Sequence, residues 1–244
     1  MERDVSVIDL TVDEKLVIAC DSIGRIGPKE EDIVETSGRI VGKLSARVAL
    51  MEALAVRATP ISVVNTLSVE YEPTGKEIIA GIEEEIAVLD MVEGDIITGS
   101  TEENIPTLQT GIGITVVGRA AKEELRVADS QSGDLMVALG LPKVGDEVLE
   151  SIEEIVNLAD LEQILELDYI HDILPVGSKG IKYEAELLAE LNGLGLELEE
   201  TVIDLKKSAG PATALLLTLP EEYWAELKNL FSKPLNLLGR LHSP

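Results

Sequence analysis

The first half of the chain alternates short aliphatic runs with longer amphipathic stretches, and this alternation restricts the fold more than any other feature. The predicted strands are residues 16–20, 61–67, 96–98 and 111–117. Two stretches between them, residues 41–55 and 78–89, repeat their apolar side chains at helical spacing. The order β-α-β-α-β-β predicts an α/β unit of about 120 residues.

The second half shows the same kind of pattern after a charged stretch, residues 119–126, which we interpret as a join between domains. Its predicted strands are residues 135–139, 197–205 and 213–219, and its predicted helices lie between 145 and 167, after 180 and at 221–231. We therefore expect an α/β protein with an N-terminal domain at 1–122 and a C-terminal domain at 123–231. Residues 232–244 show no periodicity and are expected to form a loose tail.

The chain is strongly acidic, with a formal net charge of −26. Such a surface repels nucleic-acid backbones and anionic lipid, because both are bound through Lys and Arg. We therefore expect neither nucleic acid nor a membrane as a partner. Solubility explains most of the acid excess, while a minority of the carboxylates can hold a divalent cation.

The cysteine content and the N-terminal residues indicate which cellular compartment to expect. The single cysteine, Cys20, excludes an internal disulfide and a cysteine-based zinc site. The N-terminus lacks a charged-then-apolar leader, and no apolar run reaches the length of a membrane span. The expectation is a cytoplasmic protein.

Two familiar motifs are weak in this sequence. Residues 38–45 read GRIVGKLS and resemble a P-loop, but one residue is missing between the glycines and Leu44 replaces the magnesium-binding hydroxyl. His171 beside Asp172 can act as a base, although a solvated loop histidine explains the pair more simply. Neither motif identifies an active site.

Three acidic residues, Asp21, Glu52 and Glu102, stand at predicted strand ends or on the first predicted helix. Phosphoryl transfer from ATP needs a divalent metal on the phosphates, and hard cations take carboxylate oxygens. In a chain with 46 Asp and Glu, three such positions are expected by chance. Spacing alone therefore does not establish a metal site.

Several strings of the sequence resemble a known family. They are IACDSIGRIGPKEED (18–32), ARVALMEALA (46–55), ITGSTEEN (97–104), SGDL (132–135), PVGSKGIKYE (175–184) and KSAGPAT (207–213). Together they resemble the ATP-binding superfamily of aminoimidazole ribonucleotide synthetase (PurM-like), which includes thiamine-monophosphate kinase, selenophosphate synthetase and the hydrogenase-maturation dehydratase. Within it, the likeness is to α-ribazole kinases of cobalamin salvage.

The resemblance implies a fold and an assembly. An N-terminal α/β domain would pair with its copy in a second subunit and form a barrel-like homodimer. ATP would bind near that interface with Mg²⁺, and a C-terminal α/β domain would close over a small nucleoside-like acceptor.

The resemblance also implies site residues. The metal ligands would be Asp21, Glu52 and Glu102, with Glu103 in reserve, and Asp21 and Lys29 would be catalytic. The nucleotide-binding residues would be Gly24, Gly27, Lys29, Arg47, Gly99, Ser100 and Thr101. The acceptor-binding residues would be Gly177, Ser178, Lys179 and Ser208.

This sequence departs from the family pattern at two of these positions. Glu52 stands where aspartate is usual, and the acid after Gly99 is displaced by one residue. Three interpretations without a ligand-binding role remain open. They are Lys29 as a solvated loop lysine, Gly99 as a turn residue, and Arg47 as the partner of a neighbouring acid.

The function that the resemblance implies is phosphorylation of the α-ribazole 5′-hydroxyl by ATP. The alternatives are another ATP-dependent enzyme of the superfamily, such as a thiamine-monophosphate kinase, or a non-catalytic nucleotide-binding homologue.

Overall fold

The computed structural model describes residues 3–92 and 94–244. These residues form two compact units, the first with residues 4–54 and 58–124 and the second with Arg3, residues 55–57 and residues 125–244. Both units combine helices with a five-stranded sheet, so the predicted α/β class is confirmed.

The first unit contains seven strands and two α-helices among its described residues. They are β1 (Val5–Asp9), β2 (Glu14–Gly24), β3 (Ile26–Gly27), β4 (Val34–Glu35), α1 (Gly38–Ala55), β5 (Thr59–Leu67), α2 (Lys76–Ile86), β6 (Ile97–Thr101) and β7 (Gly111–Ala121). A π-helical turn, Tyr71–Gly75, precedes α2.

The large sheet of this unit has the strand order β1-β2-β7-β5-β6. Its pairs are antiparallel except for β5 and β6, which run parallel and are linked by the crossover through α2. The buried residues on β2, β5 and β7 alternate with exposed or half-buried ones, as expected for strands with one face toward a core.

The helices α1 and α2 approach each other through two glycines. A Cβ on Gly42 would lie 1.9 Å from the Ile78 carbonyl oxygen, and one on Gly81 would lie 2.0 Å from the Arg39 carbonyl oxygen. The P-loop-like string at residues 38–45 is thus part of α1, and its second glycine serves helix packing.

The second unit contains five strands and four α-helices among its described residues. They are β8 (Leu135–Gly140), α3 (Asp146–Glu150), α4 (Leu158–Leu165), β9 (Ile173–Pro175), α5 (Gly180–Leu191), β10 (Gly195–Leu198), β11 (Ala214–Leu219), α6 (Trp224–Leu230) and β12 (Leu235–His242). A 3-10 turn, Glu221–Tyr223, precedes α6.

The sheet of the second unit has the order β10-β12-β8-β11-β9, and all its pairs are antiparallel. Every residue of β8 and β11 is buried, and both strands are apolar apart from the buried Thr218 in β11. Helix α5 packs its apolar side into this core through Ile181, Ala185 and Leu188.

Three sequence predictions need correction here. The predicted loose tail contains β12, which pairs with both β8 and β10. The predicted strand at 197–205 is shorter and earlier, since β10 ends at Leu198. The predicted strand at 16–20 is too short, because β2 runs from Glu14 to Gly24. Strands β1 and β9 carried too weak a pattern to be predicted.

Across the part of the chain that the structure describes, no helix combines the length and the apolar character that crossing a membrane requires.

Substituting Gly42 with alanine tests the helix crossing. A methyl group there meets backbone, so we expect the free energy of unfolding to fall by about 1–3 kcal/mol, despite the helix-propensity gain of about 1 kcal/mol. Gly24→Ala is the matched control, because a Cβ at Gly24 has no atom within 4 Å. Urea unfolding measures both variants, and wild-type stability of Gly42→Ala would contradict the crossing.

Candidate functional site

One polar row crosses the buried face of the first sheet. Asp21 on β2 pairs with Ile114 on β7, Ile114 pairs with Asn65 on β5, and Asn65 pairs with Gly99 on β6. Cross-strand partners project to the same face, so Asp21 and Asn65 share one face of the sheet. With strands about 4.8 Å apart, their backbones lie roughly 10 Å apart.

The rows on either side are apolar apart from one threonine. One row consists of Ala19, Val116, Val63 and Ile97, and the other of Ile23, Ile112, Leu67 and Thr101. The polar row therefore lies in surroundings that disfavour charge.

These surroundings affect the pKa of the Asp21 carboxyl. Burial raises the pKa of its carboxyl, a hydrogen bond from the Ser22 backbone opposes the rise, and the nearby charge of Asp4 adds to it. A carboxylate whose charge is disfavoured in the unliganded protein gains from a bound cation.

Asn65 carries an unsatisfied acceptor. The residue is only 2% exposed, and its Nδ2 donates to the Thr98 carbonyl oxygen at 3.1 Å. Its Oδ1 is buried and has no hydrogen-bond partner among the described residues. Native proteins pair most buried polar atoms, so this oxygen needs an explanation.

Gly99 is required by close packing on Asn65. A Cβ at Gly99 would lie 2.2 Å from the Asn65 carbonyl oxygen and 2.4 Å from its Oδ1. The glycine thus does more than supply a turn, and it lies within β6, beyond the predicted strand end at residue 98.

The loop after β2 is held by Asp32. Its Oδ2 accepts from the Lys29 backbone N–H at 2.9 Å and from the Thr110 hydroxyl at 2.7 Å, while its Oδ1 accepts from the Thr110 N–H at 2.8 Å. Gly27, with φ +152, packs so closely here that a Cβ would lie 2.3 Å from the Thr110 Oγ1. Gly24 has open space in front of it.

The Lys29 ammonium forms an ion pair with Glu70, and both side chains are partly buried. The Thr74 hydroxyl donates to the other Glu70 oxygen at 2.6 Å. Burial alone would raise the pKa of Glu70, but the hydrogen bonds from Lys29 and Thr74 outweigh it and lower the pKa to about 2. Lys29 is therefore no freely solvated loop lysine.

The carboxylates of Glu102 and Glu103 both accept hydrogen bonds from nearby groups of the protein. Glu102 Oε1 accepts from the N–H groups of Asn104 at 2.7 Å and Ile105 at 3.1 Å, and these bonds lower the pKa of Glu102. Glu103 Oε1 accepts from the Tyr71 N–H at 2.7 Å and the Thr101 hydroxyl at 2.9 Å. These local bonds engage one oxygen of each carboxylate that the prediction assigned to metal.

Arg47 has a structural partner. It is 8% exposed, and its Nε and Nη2 contact the two Glu85 oxygens at 2.7 and 3.2 Å, which joins α1 to α2. The interpretation of Arg47 as the partner of a neighbouring acid fits this geometry, while its phosphate contact stays a prediction.

Glu52 is buried in α1, 7% exposed. Across residues 3–92 and 94–244, no group of three or more His, Cys, Asp or Glu side chains is arranged to hold a metal ion. Asp21, Glu52 and Glu102 therefore do not form a preformed three-carboxylate cage.

The donor set nevertheless fits magnesium bound together with a nucleotide. Mg²⁺ commonly takes one or two carboxylates and completes its shell with phosphate oxygens and water. Asp21 offers a half-buried carboxylate for such a cation. The Asn65 amide leans toward Thr98 and Gly99 on β6, so its orphaned Oδ1 is a separate acceptor beside the same sheet face.

A pocket of about 330 Å³ opens beside β6. Its lining includes Asn65, Gly99, Ser100 and Thr101, so the predicted nucleotide-binding segment lies on its wall. Its charged lining residues are Glu83 and Asp95, with no Lys or Arg among those described. Phosphates near this pocket would therefore require a cation.

The predicted acceptor residues lie in the second unit, and two of their segments meet. The Gly177 carbonyl oxygen accepts from the N–H of Ala209, the neighbour of Ser208, at 3.2 Å. Ser178 is exposed, and the Lys179 ammonium donates to the Tyr183 hydroxyl at 2.9 Å.

His171 pairs with a different acid from its sequence neighbour. Its Nδ1 lies 2.7 Å from Asp134 Oδ2. Asp172 instead accepts from the N–H groups of Asp129 and Ser130 and from Asn192. Both acids are buried parts of the second unit's scaffold.

Sequence reasoning missed Asn65, Glu70 and Asp32. Asn65 left a usable signal, since it is the one amide at an inward position of the predicted strand 61–67. Glu70 and Asp32 left none, because their partners are 41 and 78 residues away in the chain.

Comparisons with known proteins agree with this architecture. Residues 2–120 match the family described as AIR synthase related protein, N-terminal domain. No curated protein matches the sequence.

Three solved structures share the fold. Thiamine monophosphate kinase from Aquifex aeolicus is 16% identical with a TM-score of 0.68, over 98% of this chain and 89% of that one. AaThiL complexed with AMPPCP and TMP is 15% identical with a TM-score of 0.68, over 100% and 86% of the two chains. The hydrogenase maturation protein HypE of E. coli is 13% identical with a TM-score of 0.68, over 93% and 80%.

Neutralising Asp21 should stabilise the unliganded protein. A carboxyl whose pKa rises on folding binds its proton more tightly in the folded state, so stability is lost as pH rises through its ordinary and folded pKa values. We expect Asp21→Asn to have a higher Tm than wild type at pH 7, with the difference vanishing below about pH 4.

Thermal unfolding between pH 3 and 8 measures this effect, with Asp13→Asn on the exposed β1–β2 loop as the control. A lower Tm for Asp21→Asn at pH 7 would show that Asp21 is a structural acid.

Proposed function

This chain belongs, through residues 2–120, to the AIR-synthase-related (PurM-like) superfamily, and from this premise we propose that it is an ATP-dependent small-molecule kinase. The observation that carries the proposal is the polar row of Asp21 and Asn65 on a largely apolar sheet face. A half-buried acid whose charge is disfavoured and an orphaned amide oxygen are costly in the unliganded protein, and a cation–nucleotide complex would offset both.

The comparisons support a nucleotide as the ligand. AaThiL, which shares the fold, is complexed with the ATP analogue AMPPCP and with TMP. In this chain, Asp21 would hold the magnesium of Mg·ATP and Lys29 would meet a phosphate as a point charge. Gly24, with open space in front of it, lets the nucleotide approach the backbone.

The reaction is in-line transfer. The acceptor hydroxyl oxygen forms a bond to the γ-phosphorus while the bond to the β–γ bridging oxygen breaks, ADP leaves, and the hydroxyl proton passes to solvent. Mg²⁺, when bound, offsets charge on the phosphates. The loose transition state demands little of a base, so the residues contribute chiefly positioning and electrostatics.

For the acceptor we propose α-ribazole, phosphorylated on its 5′-hydroxyl. The strings at 175–184 and 207–213, which resemble α-ribazole kinases, meet through the Gly177–Ala209 hydrogen bond. Gly177, Ser178, Lys179 and Ser208 are the proposed acceptor contacts. A thiamine-monophosphate-like acceptor is the alternative within the same chemistry.

A non-catalytic nucleotide-binding role is the second candidate. One oxygen of Glu102 accepts hydrogen bonds from its own loop, and the described residues contain no three-acid metal cluster. Both features are compatible with a protein that binds Mg·ATP without turnover.

The test is an ADP-release screen of nucleosides and vitamin precursors that includes α-ribazole, run with wild type and Asp21→Asn. We expect acceptor-dependent ADP release by wild type and a loss of at least about 100-fold in the variant, since it removes the proposed metal ligand. Stabilisation by Mg·ATP without ADP release from any acceptor would favour the non-catalytic role.

We also propose a homodimer and a cytoplasmic location. The second face of the first sheet carries Ile8, Leu16, Ile18, Val64 and Val117, of which Ile8 is 48% exposed and the others are half-buried. Sheet pairing through this face would cover them.

Light scattering at micromolar concentration checks the assembly. We expect a dimer for wild type and a larger monomer fraction for Ile18→Lys, which places a charge at the centre of the face. A monomeric wild type would contradict the proposed assembly.

A further inference from the structure

The backbone of Lys29 is fixed, but its long side chain needs a separate support. Asp32 accepts from the Lys29 N–H at 2.9 Å, and the same carboxylate binds Thr110, the residue before β7. A lysine stem has several rotatable bonds, and ordering it costs conformational entropy. The loop alone therefore does not determine where the ammonium points.

Glu70 supplies that support. Among the described residues, its Oε2 is the one acceptor that the Lys29 ammonium contacts. The Lys29 side chain is 18% exposed and that of Glu70 is 30% exposed, so this pair is shielded compared with Glu72 and Lys76, which are 60% and 61% exposed. An ammonium has three donors, and Glu70 uses one of them.

Glu70 is itself held in place from two directions. The Thr74 hydroxyl donates to its Oε1 at 2.6 Å, and the Gly75 N–H donates to its carbonyl oxygen at 2.9 Å. A Cβ on Gly75 would lie 2.8 Å from that carbonyl oxygen and 3.1 Å from Thr101 Cγ2, so the turn packs directly against β6.

The same turn reaches the second predicted nucleotide-binding segment. The Tyr71 N–H donates to Glu103 Oε1, which also accepts from the Thr101 hydroxyl. Residues 70–75 therefore connect the Lys29 loop to the Gly99–Thr101 strand, two segments that are about seventy residues apart in sequence.

We propose that Glu70 is a positioning residue that fixes the Lys29 ammonium for contact with a nucleotide phosphate, an inference that rests on the proposed function. Glu70 touches neither substrate nor reacting atoms. It orients one donor of Lys29 toward itself and leaves two for an incoming phosphate, so its effect requires Lys29.

A double-mutant cycle tests this dependence. Mg·ATP binding is measured by calorimetry for wild type, Glu70→Gln, Lys29→Met and the double variant. We expect Lys29→Met to weaken binding about 10-fold and Glu70→Gln to weaken it about 3- to 10-fold, through the entropy of the released lysine. In the Lys29→Met background, Glu70→Gln should change the affinity less than about 2-fold.

Two further variants separate orientation from charge and from folding. Glu70→Asp keeps the charge but shortens the arm, so positioning predicts a loss like that of Glu70→Gln, whereas a charge effect predicts wild-type affinity. Glu72→Gln removes an acid from the exposed pair next to the turn, and wild-type affinity is expected. Thermal unfolding of each unliganded variant reports any general loss of structure.

The outcomes are distinct. Wild-type affinity in Glu70→Gln, or an equal loss with and without Lys29, overturns the positioning role and leaves the proposed function intact. A wild-type protein that does not bind Mg·ATP overturns the proposed function, and the positioning role with it.

Discussion

The polar row of Asp21 and Asn65 is the interaction on which the functional interpretation of this protein depends. Both residues project from a sheet face whose adjacent rows are almost entirely aliphatic. A chain optimised only for stability would place Val or Ile at these positions, since an unpaired buried polar atom costs about 1–3 kcal/mol. Sites that bind charged ligands commonly retain such groups.

The loops around this row are held by acidic side chains. Some of the many acidic residues of the chain therefore have a structural role at this site. Asp32 fastens the loop that carries Lys29, Glu70 holds the Lys29 ammonium, and Glu103 joins the turn after β5 to β6. These carboxylates accept hydrogen bonds from backbone or from hydroxyl and ammonium groups. Part of the negative charge therefore serves to order these loops.

Much of the fold could be predicted from the sequence, because the spacing of apolar residues in strongly periodic segments indicates which side chains are buried. The residues Ile78, Ile82, Ile86 and Leu89, at helical spacing, are all buried in the structure, and the aliphatic runs of β5, β7, β8 and β11 are strands. Strand β12 escaped prediction because its LNLLGRLH string shows no two-residue alternation and contains a central glycine.

The candidate site could be predicted only in part, since its contacts join distant segments. The family resemblance pointed to Asp21, Lys29 and Gly99, and the structure gives each a defined environment in the first unit. Sequence could not show that Arg47 is paired with Glu85, that Glu102 binds its own loop, or that Glu70 contacts Lys29. Such pairings depend on register and on side-chain reach, and no spacing rule encodes them.

The position of β12 between β8 and β10 has a consequence for how the chain folds. Leu235 on β12 pairs with Leu139 on β8. Formation of this strand pair therefore closes the long segment of chain between the two strands into a loop. Contacts of such high sequence separation are slow to form, because loop entropy is lost before they stabilise the product. During synthesis the first unit has all its strands by Ala121 and can become compact early. In the second unit, β8 lacks its neighbours until β11 and then β12 have been synthesised, so its apolar edges are open to misassociation in the nascent chain.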